Sequence, residues 1–373
     1  MTTVCHLLDA TAGWEQRLAL RALIDRLPAD RFRQVVAAID PASALMLRWW
    51  AMEGHVLHRL LPIDVLAAPA LLRFVERERV DVIHAWGFRA AVAARTAARL
   101  PVVLQLFEPA MVVRHAKLMR TLSHSARLAF VCASGIVQRR LVECGVAFDK
   151  CVVVRPGIDF SVINRFRRSP LRDELSVSRE ETLAVTPEVD TRENGAFEAF
   201  WGAALVNQLD GRWKMVVPGD SAERRRIERF AAGLPSRPTL VCCGDHPIEE
   251  LISISDVLIT APYGDVSTTA IAWAMAAGVA VIGSAVPSIA ELIAHKVNGL
   301  LFKPPPRRGA VVDIVRQLQD RDSQSKLKEV ARGQAYEVFG MRRFLDQIAL
   351  VYENMLKGTP VAEGVPDPAV VAS

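Results

Sequence analysis

The stretch from Asp256 to Gly283 constrains this chain more than any other. Asp256-Val257-Leu258-Ile259-Thr260 is a short apolar run that reads as a buried strand. A loop with Pro262 and Gly264 follows. Ser267, Thr268 and Thr269 then supply hydroxyls where a helix should begin, and Gly278 stops the Ala/Met-rich helix. Val279-Ala280-Val281-Ile282-Gly283 is a second apolar run. Strand, polar loop, helix and strand form a βαβ unit, which demands parallel strands. In such a unit the loop beyond the first strand and the helix start form a natural anion site, with a nucleotide phosphate as the obvious ligand. Ser and Thr at a helix start also serve as plain caps, worth about 1 kcal/mol, and that reading stays open on spacing alone.

With 373 residues the chain is too long for one ordinary core, so two domains are expected. A hydrophobic content of 51% with 23% charged residues excludes a disordered chain. No apolar stretch reaches the length of a membrane span. The opening residues, Met1 to Asp9, lack a basic flank and carry an early acid, so they read as a first strand and not as a signal peptide. Cys5, Cys132, Cys144, Cys151, Cys242 and Cys243 have no metal-ligand spacing and read as reduced core residues of a cytoplasmic protein. The net charge of +5 is mild and scattered. It permits contact with an anionic membrane surface or a phosphorylated ligand, and it does not argue for nucleic acid.

Strands and helices alternate throughout, which predicts parallel sheets covered on both faces. The first half runs from the strand Val4–Leu8 to Arg155-Pro156-Gly157-Ile158-Asp159. Within it, Leu45–Arg59 carries Trp49, Trp50 and Met52 and reads as a helix that packs on the domain or, as the less favoured reading, forms part of an acceptor wall. Val112–Ala126, with Arg114, His115, Lys117, Arg120 and His124, reads as one basic amphipathic helix. The charged segment 160–180 reads as a linker. The second half spans 181–340 and repeats the pattern. A helix follows at 341–357, and the Pro- and Gly-containing tail 358–373 is expected to be disordered.

Four stretches then resemble a known family. They are Asp81–Gly87, Glu143–Asp159, Ala274–Ile282, and Glu291 with Asn298-Gly299-Leu300-Leu301. In order and separation they are similar to the motifs of the retaining glycosyltransferases of family 4, over about residues 4–356. The resemblance implies two Rossmann-like domains facing across a cleft, the GT-B type. It implies an acceptor domain at 1–165, a nucleotide-sugar domain at 181–340 and a closing helix at 341–357. It also implies a nucleotide-diphosphate sugar as co-substrate and no metal or other cofactor. The diphosphate would sit on Ser267, Thr268 and Thr269. The remaining expected donor contacts are Gly219, Arg224 and Glu291, and the expected catalytic residues are His84, Asp265 and Arg192.

The chain also departs from the family pattern. Of two family glutamates, the first falls on Asp265 and the second on Trp273, whose indole is a donor only and cannot accept from a ribose. The family's Arg-Lys pair falls near Val189 and Asn194. Only Arg192 is positive in that loop, with the Arg224–Arg226 cluster as a possible reserve. A family His is replaced by Phe107 and Glu108. The expected function is therefore transfer of a sugar to a polysaccharide, lipid or small-molecule acceptor, at the cytoplasmic face of a membrane or in solution. The alternative is a catalytically inactive relative that binds ligands or acts as a scaffold.

Overall fold

The computed structural model describes residues 1–57, 64–97, 99–187, 190–234, 239–241, 246–306 and 321–367, with positions 309, 311, 312 and 315 between the last two segments. The chain divides into two compact units. Met1–Gly157 and Met341–Asp367 make the first, and Ile158–Gly340 makes the second.

The first unit is built on a parallel sheet of β1 (Thr2–Leu8), β2 (Phe32–Ala38), β3 (His55–Val56), β4 (Val82–Trp86), β5 (Val102–Leu106), β6 (Leu128–Cys132) and β7 (Cys151–Val153). The spatial order is β3-β2-β1-β4-β5-β6-β7. Every residue of β4, β5 and β6 is buried, as expected for a parallel sheet covered by helices on both faces. Side chains alternate between those faces. Cys5, Leu7, Ile83 and Ala85 enter one core with the helix Phe88–Ala97. Val4, Leu8, Val82 and Trp86 enter the other.

That second core is closed by the helix Met341–Lys357, whose Phe344, Ile348, Val351 and Tyr352 recur at helical spacing on one buried face. Gly157 permits the approach, since a Cβ there would lie 2.7 Å from that of Phe344. The closing helix is thus part of the first unit. Residues 358–367 pack back on this unit, which corrects the expected disorder there, and 368–373 lie outside the described residues. Asn354 donates to the carbonyls of Val361 and Glu363, and Asp367 pairs with buried Arg155 at 2.9 Å.

The second unit has β8 (Thr182–Val185), β9 (Trp213–Val216), β10 (Leu240–Val241), β11 (Val257–Thr260), β12 (Ala280–Ser284) and β13 (Leu300–Phe302). Their order, β10-β9-β8-β11-β12-β13, is again parallel and reverses direction between β8 and β11. Segment 160–180 is no linker. It carries the helices Phe160–Phe166 and Leu171–Glu174, and Arg172 is anchored to Asp256 at 3.0 Å.

Three local expectations need correction. The helix around Trp49 is Pro41–Trp49. Trp50 and Met52 pack on the core, but Trp49 is 77% exposed. The basic segment forms two helices, Pro109–Arg114 and Ala116–Ser123, because His115 leaves helical geometry at φ −109°. Cys5, Cys132 and Cys151 are buried free thiols and Cys144 is a half-buried one, whereas Cys242 and Cys243 lie outside the described residues. Burial pushes the Cys5 thiol up to about 12, so it is inert at neutral pH. Among the described residues no helix is long and apolar enough to cross a membrane.

Two features of this fold give measurable consequences. In the first, His6 is fully buried on β1. Its Nδ1 accepts from Trp86 Nε1 at 3.2 Å, so its Nε2–H donates to Gln34 at 3.0 Å. A second ring proton would face another donor. Burial lowers the His6 pKa to about 4. The folded state therefore refuses a proton that the unfolded chain accepts near pH 6.5. Stability is full above about pH 6.5 and falls as pH drops toward 4, by roughly 3 kcal/mol from this residue. Melting temperature measured from pH 8 to 4 should decline over that window, and the decline should flatten in His6→Gln. In the second, Gly195 adopts φ +69°, and a Cβ there would fall 1.7 Å from the carbonyl oxygen of Ala261. Gly195→Ala should cost roughly 3 kcal/mol or more, read as a lowered urea midpoint.

Candidate functional site

The reversal of strand order in the second unit leaves a crevice beyond the carboxyl ends of β8 and β11, where open parallel sheets bind ligands. Two loops form it. After β8 the chain makes a short turn, Arg192–Asn194, before the helix Ala196–Asp210. After β11 it runs through Ala261 to Thr268 into the helix Thr269–Ala277. The Tyr263 N–H donates to the Glu193 carbonyl at 2.8 Å, which ties the two loops together, and the Gly195–Ala261 approach holds them close.

Asp265 acts first as a clip. Its Oδ1 accepts from the Ser288 N–H at 2.9 Å, and Ser288 Oγ accepts from the Val266 N–H at 3.1 Å. The loop after β11 is thereby fastened to the short helix Pro287–Ala290 that follows β12. Beyond the clip, Ser267 Oγ accepts from the Thr269 N–H at 3.3 Å and lies 3.2 Å from Thr269 Oγ1. Thr268 is the N-cap residue and makes no side-chain cap bond. Ser267, Thr268 and Thr269 are all buried. The turn therefore presents the positive end of a helix dipole, with the Asp265 carboxylate held aside by Ser288. That arrangement suits an anion.

The structure gathers some of the other expected residues here and sends some elsewhere. Arg192 is exposed on the loop after β8. Glu291 is half-buried just after Pro287–Ala290, the helix that carries Ser288. These two share the loops beyond β8, β11 and β12 with Asp265 and the Ser267–Thr269 turn. Gly219 lies in the turn after β9, at φ +75°, one strand further out. Arg224 is held within its own helix, its Nε donating to Glu228 at 2.8 Å. Its neighbours are paired as well. Arg225 pairs with Asp220, and Arg226 pairs with Glu223 and covers the Phe197 ring at 3.9 Å. Trp273 points into the core, where its Nε1 donates to Ser253 Oγ at 2.9 Å. Val189 lies outside the described residues.

In the first unit His84, expected as a catalytic residue, is buried in the sheet and does not stand at the end of its strand. It is the middle residue of β4, on the same face as Val82 and Trp86, and fully buried. Its ring stacks on Trp86 at 4.3 Å, and its Nδ1 lies 2.7 Å from the Tyr352 hydroxyl of the closing helix. Burial, then the neighbouring His6, hold its pKa well below the ordinary value, so the ring is neutral.

The residue that does occupy the first unit's switch point, between β1 and β4, is Asp9. The sequence marks it only as an early acid at the end of the first strand. Its carboxylate accepts from the N–H of Thr11 at 2.8 Å and from that of Ala90, in the first turn of the helix Phe88–Ala97, at 3.0 Å. Gly87 makes room for it, since a Cβ there would lie 2.2 Å from Asp9 Oδ1. The signal was present as an acid directly after the first strand with small residues beyond it. Gly13, by contrast, is an exposed helix cap and needs no special conformation.

Comparison with known proteins agrees with this architecture. Residues 16–162 match the model of Glycosyltransferase Family 4, and residues 174–334 match that of the group 1 glycosyl transferases. The chain is 22% identical over 318 residues to the N-acetyl-alpha-D-glucosaminyl L-malate synthase of Bacillus anthracis, covering 79% of this chain and 80% of that one. It superimposes on Anabaena HepE, solved with UDP and glucose, with a TM-score of 0.77 at 18% identity, over 94% of this chain and 98% of that one. The sucrose-phosphate synthase of Thermosynechococcus elongatus gives 0.74 at 15% identity, over 96% and 100%. With both units matched by their family models and the same parallel α/β plan in each, the chain belongs to the family 4-like glycosyltransferases of the GT-B fold.

Proposed function

We propose that the protein transfers a sugar from a nucleotide-diphosphate donor, without a metal ion, to a polysaccharide, lipid or small-molecule acceptor. The observation that carries this reading is the contrast between the two switch points. In the first unit the helix start is filled by the chain's own carboxylate, Asp9, on the Ala90 N–H. In the second unit the nearest acid, Asp265, is fastened to Ser288, and the N-cap Thr268 makes no side-chain cap bond. An external anion suits the second helix start and not the first. A UDP-sugar is the first donor to try, since the Anabaena relative of the same fold has been solved with UDP-glucose.

Arg192 is the cation this proposal uses. It is exposed on the loop bound to the β11 loop, where its charge can oppose that of a departing diphosphate. The acceptor would be held by the first unit. The exposed Arg114, Lys117 and Arg120 on its two short helices allow that acceptor to be carried by an anionic membrane at the cytoplasmic face. The competing reading is a relative that binds ligand without catalysis. The pairing of Arg224 Nε with Glu228 and the burial of Trp273 favour it, because one contact engages the arginine already and the indole faces the core.

Titration calorimetry with UDP, GDP and ADP, in the absence of metal, tests the site. One of the three should bind, and Thr268→Arg, if it melts like the wild type, should weaken that binding at least about tenfold. No binding by the wild type at millimolar nucleotide would remove the donor site. Arg192→Ala should leave nucleotide affinity nearly unchanged and lower donor turnover roughly ten- to a hundred-fold. Unchanged turnover would take Arg192 out of the mechanism, and no turnover in the wild type with binding intact would favour the non-catalytic reading.

A further inference from the structure

The second unit carries a further cavity of about 590 Å³, lined by Phe160, Arg167, Lys328, Glu329, Arg332 and Tyr336, with Gly278 also in its lining. Gly278 lies two residues before β12, so the cavity lies toward the amino ends of the strands. The donor crevice is at their carboxyl ends. The volume is that of an ordinary small-molecule site.

Three cations and one acid, Glu329, line the cavity, so its net charge is positive. Among the described residues, no ion pair involves Arg167, Lys328 or Arg332. The acid that acts on Lys328, Asp256, is already held by Arg172 at 3.0 Å and accepts from the Leu183 N–H at 2.9 Å. Burial pushes the Lys328 pKa down. Arg167 and Arg172 push it further, against the pull of Asp256. The protein thus keeps a half-buried ammonium among like charges, a cost that a bound anion would relieve. One wall of the same cavity is aromatic. Phe160 and Tyr336 meet at 5.4 Å between ring centroids, and Tyr336 is 70% exposed. An exposed tyrosine held against a second ring beside three cations fits a planar ring joined to a phosphate.

We propose that this cavity is a second ligand site, distinct from the donor crevice, for a small phosphorylated molecule with a planar ring. Its phosphate is taken by Arg167, Lys328 and Arg332, and its ring lies against Tyr336. A lipid headgroup supplies the phosphate but no planar ring, so a soluble aryl phosphate or nucleotide is the occupant that meets both features.

The test is calorimetric titration of the full-length protein with phenyl phosphate and, separately, with inorganic phosphate. Phenyl phosphate should bind saturably and more tightly than inorganic phosphate. Tyr336→Ala should erase that difference. The double variant Arg167→Gln with Arg332→Gln should weaken both ligands at least about tenfold, the loss of two charge-assisted contacts. Both substitutions are at exposed positions, and unchanged melting temperatures would show that folding is intact. Thr268→Arg should leave phenyl phosphate binding unaltered, which separates this site from the donor crevice. Absence of saturable binding to the wild type at millimolar phenyl phosphate would overturn the proposal. So would binding that survives the double arginine change, or binding that is lost in Thr268→Arg. Equal affinity for phenyl and inorganic phosphate would overturn the role of the aromatic wall.

Discussion

The parallel ladder between β8 and β11 is the contact on which the second unit depends. It sets Ala184 beside Val257 and Val185 beside Leu258, although about seventy residues separate the partners. Strands added before it extend the sheet one way, to β9 and β10, and strands added after it extend the sheet the other way. The loops leaving β8 and β11 must therefore part, and the space between them cannot be covered by a crossover helix. The close approach of Gly195 to Ala261 and the bond from Tyr263 to Glu193 set how far they part. The crevice at the switch point follows from that ladder before any polar side chain is considered.

The first unit repeats the topology, with β1 beside β4, and fills the same position differently. Asp9 lies under Gly87 and caps the helix that begins at Phe88. A carboxylate and a phosphate ask the same thing of a helix start, namely main-chain N–H groups and the positive end of a dipole. A unit that supplies its own carboxylate has satisfied that request internally. The two halves thus share an architecture and differ at the helix start, which only the first fills with its own carboxylate on an N–H of that helix.

Much of this was legible in the sequence, and the failures share a cause. The alternation of apolar runs with helical patterns showed both parallel sheets, because a strand buried on two faces must be apolar throughout. The turn Ser267–Thr269 and its glycine stop were legible as a helix start and end. The burial of His84 follows from strand parity. The residue faces the same way as Val82 and Trp86, into the core that the closing helix covers. Arg224 misled because a cluster of arginines looks available until the acids one helical turn away are counted. Glu228 and Glu223 stand at spacings that pair them. Asp9 was passed over because its partner, the Ala90 N–H, lies eighty-one residues further on.

By itself the sequence determined the class of fold, the number of units and the βαβ unit at 256–283, since these rest on local periodicity and on short-range turn chemistry. It also carried enough motif to place the family. Only the tertiary structure decided which charged and aromatic side chains are spent inside the molecule. It also decided that 158–180 joins the second unit, that 341–367 returns to the first, and that Arg167, Lys328 and Arg332 share one cavity. The physical reason is the same in each case. Burial and pairing are set by residues distant in sequence, and a polar side chain keeps its capacity for a ligand only where no distant partner has taken it.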